Sequence, residues 1–294
     1  MNSNHNTNRR TFLKAAAGAL ALIGWGLRAD TSRRVQNVGL QLYTVRREMV
    51  RDFSGTLAKI AALGYREMEF AGYFGNSPRE VRRILDDLGM TSPATHVPLP
   101  LIRNNLEAEI EAALVIGQKY IVVPFIPAAE RSVEHYHRHA ELLNRAGSAC
   151  RETGLQMGYH NHSFEFVASG GQIPGGQIPG GQIPGGQIPY DILLSETDAE
   201  LVAMEMDLFW IIYAGVDPIP YFNAHPGRFA MLHVKDMDSS RKMVDVGSGG
   251  IDFSKLFSYQ DTAGFKHYFV EHDNPSDGLT SVAASIGALR KVVF

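Results

Sequence analysis

Predicted strands and helices alternate along most of this chain, from residue 35 to the last residue. Short apolar or alternating runs predict the strands, and longer stretches with apolar residues at helical spacing follow them. Eight such units in about 260 residues are typical of a (β/α)8 TIM barrel, a single α/β domain whose parallel strands close into a cylinder. A doubly wound open sheet is the alternative, but no glycine-rich phosphate-binding turn follows the first strand.

The predicted elements have these bounds. The strands are 38–43, 66–71, 91–96, 120–124, the first part of 154–166, 201–207, 229–234 and 267–271. The helices are 53–63, 78–89, 106–116, 133–153, 190–196, 218–224, 253–259 and 279–292. The start of the helix at 78–89 has clear sequence signals. Ser77 suits the N-cap, Pro78 suits the first turn, and Glu80 completes a capping box.

The first 34 residues are predicted to be an export signal and a linker rather than part of the barrel. Arg9 and Arg10 precede Phe-Leu-Lys and a short apolar run at 15–27, a pattern that resembles a twin-arginine signal. We therefore expect the twin-arginine export machinery as a partner and a periplasmic or exported location. The small-residue cleavage site near Ala29 is weak, so an uncleaved membrane anchor is the alternative.

Residues 170–189 interrupt the alternation with four tandem copies of Gly-Gly-Gln-Ile-Pro. The glycine pairs and prolines favour a mobile loop. The insertion lies between the fifth strand and its helix, which in a barrel is the face that carries the active site. We expect a tolerated, lid-like extension rather than a binding element.

Composition excludes one class of function. The chain has 28 basic and 31 acidic residues and a formal net charge of −3, so it lacks the basic surface that nucleic-acid binding requires. Its single cysteine, Cys150, rules out an internal disulfide. The sequence leaves the oligomeric state open.

The fifth to eighth predicted strands end in side chains that bind metals, namely His160, Asp207, His233 and Glu271. The carboxyl ends of barrel strands converge on one face, so these residues should become neighbours. Two imidazoles with two carboxylates suit Mn²⁺, Co²⁺, Zn²⁺ or Fe²⁺ better than Ca²⁺. His162 projects to the same side of an extended strand as His160 and is the alternative ligand.

Seven short motifs, in this order, resemble the xylose isomerase-like TIM barrel family of sugar phosphate isomerases and epimerases. The motifs are Gly39-Leu40-Gln41-Leu42-Tyr43-Thr44, Gly64-Tyr65 with Glu69, Thr95-His96-Val97-Pro98, Tyr159-His160-Asn161-His162, Met206-Asp207-Leu208-Phe209-Trp210, Leu232-His233-Val234-Lys235-Asp236 and Val270-Glu271-His272-Asp273.

The resemblance implies one divalent ion. Relatives such as D-tagatose 3-epimerase hold Mn²⁺ in most cases, with Glu, Asp, His and Glu from the last four strands, and Mg²⁺ is a further candidate here. Asp207, His233 and Glu271 match three of these ligands, while His160 replaces the first glutamate. The Tyr-His-x-His pattern is similar to inosose dehydratase. Trp210 stands where the epimerases carry a histidine that contacts substrate.

The resemblance also implies the chemistry, which is proton abstraction beside the metal-polarised carbonyl of a keto-sugar or sugar derivative. Glu271 is predicted to act as ligand and base, with His162 or Lys235 handling the second proton. Return of the proton to carbon would make the protein an isomerase or epimerase, which is the first prediction. Loss of a β-substituent would make it a lyase or dehydratase, and loss of turnover an exported sugar-binding protein.

Six further residues are predicted to contact the substrate. They lie near strand ends or beside the histidine pair, where their side chains can hold sugar hydroxyls. For Gln41, Tyr43, Glu69 and His96, polar packing inside the barrel is an equal alternative. The residues are Gln41, Tyr43, Glu69, His96, Glu165 and Trp210.

Overall fold

The computed structural model describes residues 32–167 and 187–294. The predicted export signal up to residue 31 and repeat residues 170–186 lie outside the described residues. Among the helices that are described, none is long and apolar enough to cross a membrane.

Eight parallel strands close into a barrel, in the order β1-β10-β7-β6-β5-β4-β3-β2. This confirms the predicted (β/α)8 barrel. The barrel strands are β1 Val38–Gln41, β2 Glu67–Phe70, β3 Thr91–His96, β4 Tyr120–Val123, β5 Gln156–His160, β6 Val202–Asp207, β7 Phe229–Val234 and β10 His267–Val270. Two short antiparallel strands, β8 Asp236–Met237 and β9 Met243–Val244, form a hairpin after β7.

Helices surround the barrel and connect its strands. They are α1 Arg46–Arg51, α2 Phe53–Leu63, α3 Pro78–Asp87, α4 Leu99–Asn104, α5 Leu106–Ile116, α6 Val133–Glu152, α7 Pro189–Glu196, α8 Leu208–Tyr213, α9 Ile219–Ala224, α10 Phe253–Phe257, α11 Gln260–Ala263 and α12 Gly278–Leu289. The predicted capping box is present, since Ser77 and Glu80 each bind the other's backbone N–H at the start of α3.

The first and fifth predicted strands are longer than the observed ones. β1 ends at Gln41, and Leu42–Val45, which includes Tyr43, forms a 3-10 helix. The fifth strand was expected to extend through His162, but β5 ends at His160 and His162 lies in the loop that follows. The two rings are nevertheless neighbours, with centroids 5.0 Å apart. Their proximity comes from the course of this loop and not from the alternation of a strand.

Alternation along the strands sorts side chains into two environments. On β6, Met204 and Met206 belong to the large apolar core between strands and helices, whereas Ala203 belongs to a small apolar cluster inside the barrel. Glu205 and Asp207 follow Ala203 at intervals of two, so they also project inward. The barrel interior therefore has an apolar floor with polar layers above it.

Candidate active site

Four predicted ligands meet above this floor. One ligand atom each from His160, Asp207, His233 and Glu271 lies within 4.8 Å of the other three, and all four residues are buried. We call these residues the upper cluster. The chain thus holds a candidate metal site of acidic and histidine residues, as the strand ends predicted.

The hydrogen bonding of His160 fits a cation. Its Nδ1 lies 3.1 Å from the carbonyl oxygen of Pro124, which can only accept, so Nδ1 carries the proton. Burial and the neighbouring His233 hold the pKa of His160 well below its ordinary value, so the ring is neutral. Its unprotonated Nε2 then faces Asp207 Oδ2 at 3.2 Å. Two acceptors at that distance repel each other unless a cation lies between them.

Asp207 is held in place by its other atoms. Its Oδ1 accepts the backbone N–H of Trp210 at 2.9 Å and so caps α8, and its own N–H donates to Asn161 Oδ1 at 3.0 Å. These contacts leave Oδ2 directed at the upper cluster. One side chain therefore serves both as a helix cap and as a candidate ligand.

Lys235 places an ammonium beside the same carboxylates. Its Nζ lies 3.0 Å from Asp207 Oδ2, 2.6 Å from Glu271 Oε2 and 2.5 Å from Asp273 Oδ1. Burial acts to lower the pKa of Lys235, but these carboxylates outweigh it and hold the pKa well above its ordinary value. The side chain is therefore an ammonium held by three carboxylates in the wall of the site.

The residue after Lys235 is fixed by a glycine-rich loop. The Asp236 carboxylate accepts four backbone N–H groups at 2.8 to 3.1 Å, from Met237, Gly247, Gly249 and Ile251. A Cβ on Gly249 would lie 2.2 Å from Asp236 Oδ1, so only glycine allows this close approach. The loop thereby anchors the backbone that carries Lys235.

A second polar cluster shares His233 with the first. Its other members are Glu69, His96 and Glu205, and we call these four residues the lower cluster. His233 Nε2 lies 2.7 Å from Glu69 Oε2, and His96 Nε2 lies 2.7 Å from Glu205 Oε2. Gln41 donates to Glu69 Oε2 at 2.8 Å. Burial, together with the charge of Glu205, raises the pKa of Glu69 to about 7.

His162 lies in an aromatic surround at the cavity wall, with the rings of Phe125, Phe164 and Trp210 at 5.3 to 5.6 Å. Burial and the neighbouring His160 hold its pKa well below its ordinary value, so the ring is neutral. Glu165 supports the loop after β5, because its Oε2 accepts the His162 backbone N–H at 2.9 Å.

A cavity of about 760 Å³ opens above the clusters. It is lined by His160, His162, Lys235, Glu271 and Asp273 at its polar end and mostly by apolar and aromatic residues elsewhere. Of the six predicted substrate contacts, Tyr43 and His96 line it. Gln41, Glu69, Glu165 and Trp210 are not among its described lining residues, and their contact with substrate stays a prediction.

Sequence reasoning missed two residues of the site. Glu205 is fully buried in the lower cluster, and its position two residues before Asp207 on one strand was the available signal. Asp273 contacts Lys235 from two residues beyond Glu271. This spacing, unlike that of Glu205 and Asp207, gives no strand signal, because β10 ends at Val270.

The sequence profile of the xylose isomerase-like TIM barrel family matches residues 57–292. The chain therefore belongs to this enzyme family. An inosose dehydratase from Geobacillus kaustophilus is 24% identical and aligns over 69% of this chain and 73% of its own. A second, from Lacticaseibacillus casei, is 23% identical, and the chain spans 63% of its length, a little under two thirds.

Solved structures show the same fold. A sugar phosphate isomerase/epimerase from Parabacteroides distasonis superposes with a TM-score of 0.73 at 24% identity, covering 87% of this chain and 96% of that one. A second structure under that description has a TM-score of 0.70 at 26% identity, with 86% and 96% covered. The IOLI protein, solved with a bound zinc atom, has a TM-score of 0.63 at 13% identity, with 87% and 97% covered.

Proposed function

We propose that this protein is a metal-dependent enzyme that removes a proton next to the carbonyl of a keto-sugar or related polyol ketone and then eliminates a β-substituent. The single observation that carries the proposal is the composition of the polar end of the cavity. A neutral histidine, His162, and a charged ammonium, Lys235, both line the cavity beside the upper cluster, the candidate site for a divalent cation.

The upper cluster fits a divalent ion, with Mn²⁺ as the expected metal and Co²⁺, Zn²⁺, Fe²⁺ and Mg²⁺ as alternatives. The fit rests on His160, whose bare Nε2 faces a carboxylate oxygen. The second nitrogen of His233 lies 2.7 Å from Glu69, which is the carboxylate support that ligating histidines commonly have. When bound, the ion would act as a Lewis acid that stabilises negative charge on the substrate oxygen.

The side chains divide the proton transfers between them. His162 is neutral and can accept the proton from carbon. Glu271, the base expected from the sequence, is less free, since its Oε2 contacts His233 Nδ1 at 2.7 Å and Lys235 Nζ at 2.6 Å. Lys235 carries N–H donors that can protonate a departing hydroxyl or alkoxy group. We assign His162 as base, Lys235 as acid and Glu271 as ligand.

The unlike character of this acid and base favours elimination, and the inosose dehydratases among the relatives support the same choice. Epimerisation through two equivalent carboxylates is disfavoured because His160 occupies the first ligand position. Isomerisation or epimerisation, the first prediction from the sequence, is the second candidate. The two Parabacteroides neighbours, described as sugar phosphate isomerases/epimerases, support it.

The test is an exchange experiment on the full chain loaded with Mn²⁺. The protein is incubated in D₂O with an inosose, with free keto-sugars and with 3-keto-glycosides, and NMR follows deuterium uptake and products. Loss of water or aglycone supports elimination. Deuterium uptake with an intact carbon skeleton means isomerisation or epimerisation. No exchange with bound sugar means a binding protein and overturns the proposal.

Two variants identify the groups responsible. His162→Gln should lower turnover by roughly 10²- to 10⁴-fold, the usual contribution of a general base. Glu271→Gln should lower turnover and metal content together. The matched control is His267→Gln, because His267 lies at the opposite end of the barrel beside Glu67.

We also propose that the protein is exported to the periplasm through the twin-arginine machinery. The proposal rests on Arg9, Arg10 and the apolar run that follows them. This route carries folded proteins, which suits a protein that acquires its metal before export.

A further inference from the structure

The lower cluster buries two carboxylates against two histidine rings. Glu69 and Glu205 are both fully buried, and one oxygen of each, Oε1, has no hydrogen-bond partner. Among the ion pairs of residues 32–167 and 187–294, the partners of these two carboxylates are the rings of His96 and His233. Buried carboxylates without a cation are costly, so such clusters are paired or bind metal.

The geometry of the lower cluster is close to that of a small metal ion's ligands. Going around the cluster, the four neighbouring N···O separations are 2.7, 3.3, 2.7 and 3.4 Å. Ligands of a tetrahedral ion at 2.0–2.2 Å stand roughly 3.3 Å apart. Two of the N···O separations already have this length, and the other two need to lengthen by about half an ångström.

The charge of the whole site also favours a second cation. Five carboxylates surround the two clusters, and the single ammonium among the described ion pairs is Lys235. Histidines that bind metal are neutral, so five negative charges against one positive leave four negative charges. One divalent ion in the upper cluster removes half of them. A second divalent ion neutralises the remainder except for the one negative charge that His233 gains when it loses its second proton.

We propose that the lower cluster is a second divalent-cation site, which shares His233 with the upper cluster. His233 would contribute Nδ1 to the upper ion and Nε2 to the lower one, and the proton on Nε2 would pass to solvent when the second ion binds. Its Nδ1 lies 2.7 Å from Glu271 Oε2 and 3.8 Å from Asp207 Oδ2, both in the upper cluster. His96 lines the cavity, so an ion can reach the lower cluster from it.

The test counts ions per chain. The full chain is stripped with a chelator and titrated with Co²⁺, and bound metal is measured by native mass spectrometry and elemental analysis. We expect two ions per wild-type chain. Glu205→Gln and Asp207→Asn should each bind one, with at least a 100-fold loss of affinity for the missing ion. Glu67→Gln, on the same strand as Glu69 but paired with His267, should still bind two.

Stoichiometry separates this proposal from a merely supporting role. If the lower cluster only orients His233, the wild type binds one ion, and Glu205→Gln weakens that ion by roughly 10- to 100-fold. That result, or two ions in Glu205→Gln, overturns the proposal. Circular dichroism checks folding, and His96→Gln is the second variant if Glu205→Gln does not fold.

The outcome is independent of the proposed reaction. Two bound ions without proton exchange would retain the second site and reject the enzymatic proposal. One bound ion with turnover would reject the second site and retain the enzymatic proposal. EPR of the fully loaded cobalt protein adds a direct readout, since two ions that share an imidazolate show magnetic coupling and a single ion does not.

Discussion

Removing the buried ammonium of Lys235 should change stability and metal affinity in opposite directions. Lys235→Met keeps the length of the side chain but leaves Asp207, Glu271 and Asp273 without their cation at 2.5 to 3.0 Å. Breaking a buried ion pair from one side costs about 3–5 kcal/mol. For a domain of this size, each kcal/mol lowers Tm by about 2–4 °C, so Tm should fall by roughly 6–20 °C.

The assay is thermal unfolding of the metal-free chain at pH 7, followed by circular dichroism. The loss should shrink at pH 5, because protonation of the carboxylates relieves their repulsion. The variant should also bind Co²⁺ more tightly than the wild type, since the competing ammonium is gone. Lys266→Met is the control, an exposed lysine at the other end of the barrel. A metal-free variant as stable as the wild type, or weaker Co²⁺ binding, would refute the reasoning.

Three further predictions follow from the site and the N-terminus. His160→Gln should lose the upper-cluster ion, whereas His162→Gln should keep its metal and lose turnover; equal metal contents would mean that His160 is not a ligand. Burial raises the pKa of Glu165 to about 7, above its unfolded value near 4.5, so its proton is held more tightly in the folded state and stability falls as pH rises from about 4.5 to 7. Glu165→Gln should remove up to roughly 3 kcal/mol of that fall, measured by denaturant unfolding across this range, and an unchanged slope would contradict it. Arg9→Lys with Arg10→Lys should leave the protein in the cytoplasm on cell fractionation, and continued export would reject the twin-arginine signal.

Elements with clear start and stop signals were predictable from the sequence. The bounds of β3, β7, α2 and α5 match the predictions residue for residue, because apolar periodicity ends at glycines, prolines or polar clusters there. Helix α8 was not predicted. It starts directly at the end of β6, and its run of Leu, Phe, Trp and Ile has no helical period. The hairpin was also missed, because its two-residue strands are too short to show alternation.

The site was likewise predictable only in part. The upper cluster follows from four strand ends, because barrel topology alone brings them together. The lower cluster was not predictable as a unit, since Glu69, His96 and Glu205 lie on three strands at the depth where polar packing and ligand binding look alike in sequence. Only the coordinates show that one histidine ring joins the two clusters.

The two oxygens of Asp207 couple the metal site to helix α8, since one faces the upper cluster and the other caps the helix. Ion binding and fraying of residues 208–213 should therefore be linked, and amide exchange there should slow when metal is present. Trp210 lies in this helix beside His162. The chain has two tryptophans, Trp25 and Trp210, so removal of the first 34 residues leaves Trp210 as a built-in fluorescent reporter of occupancy.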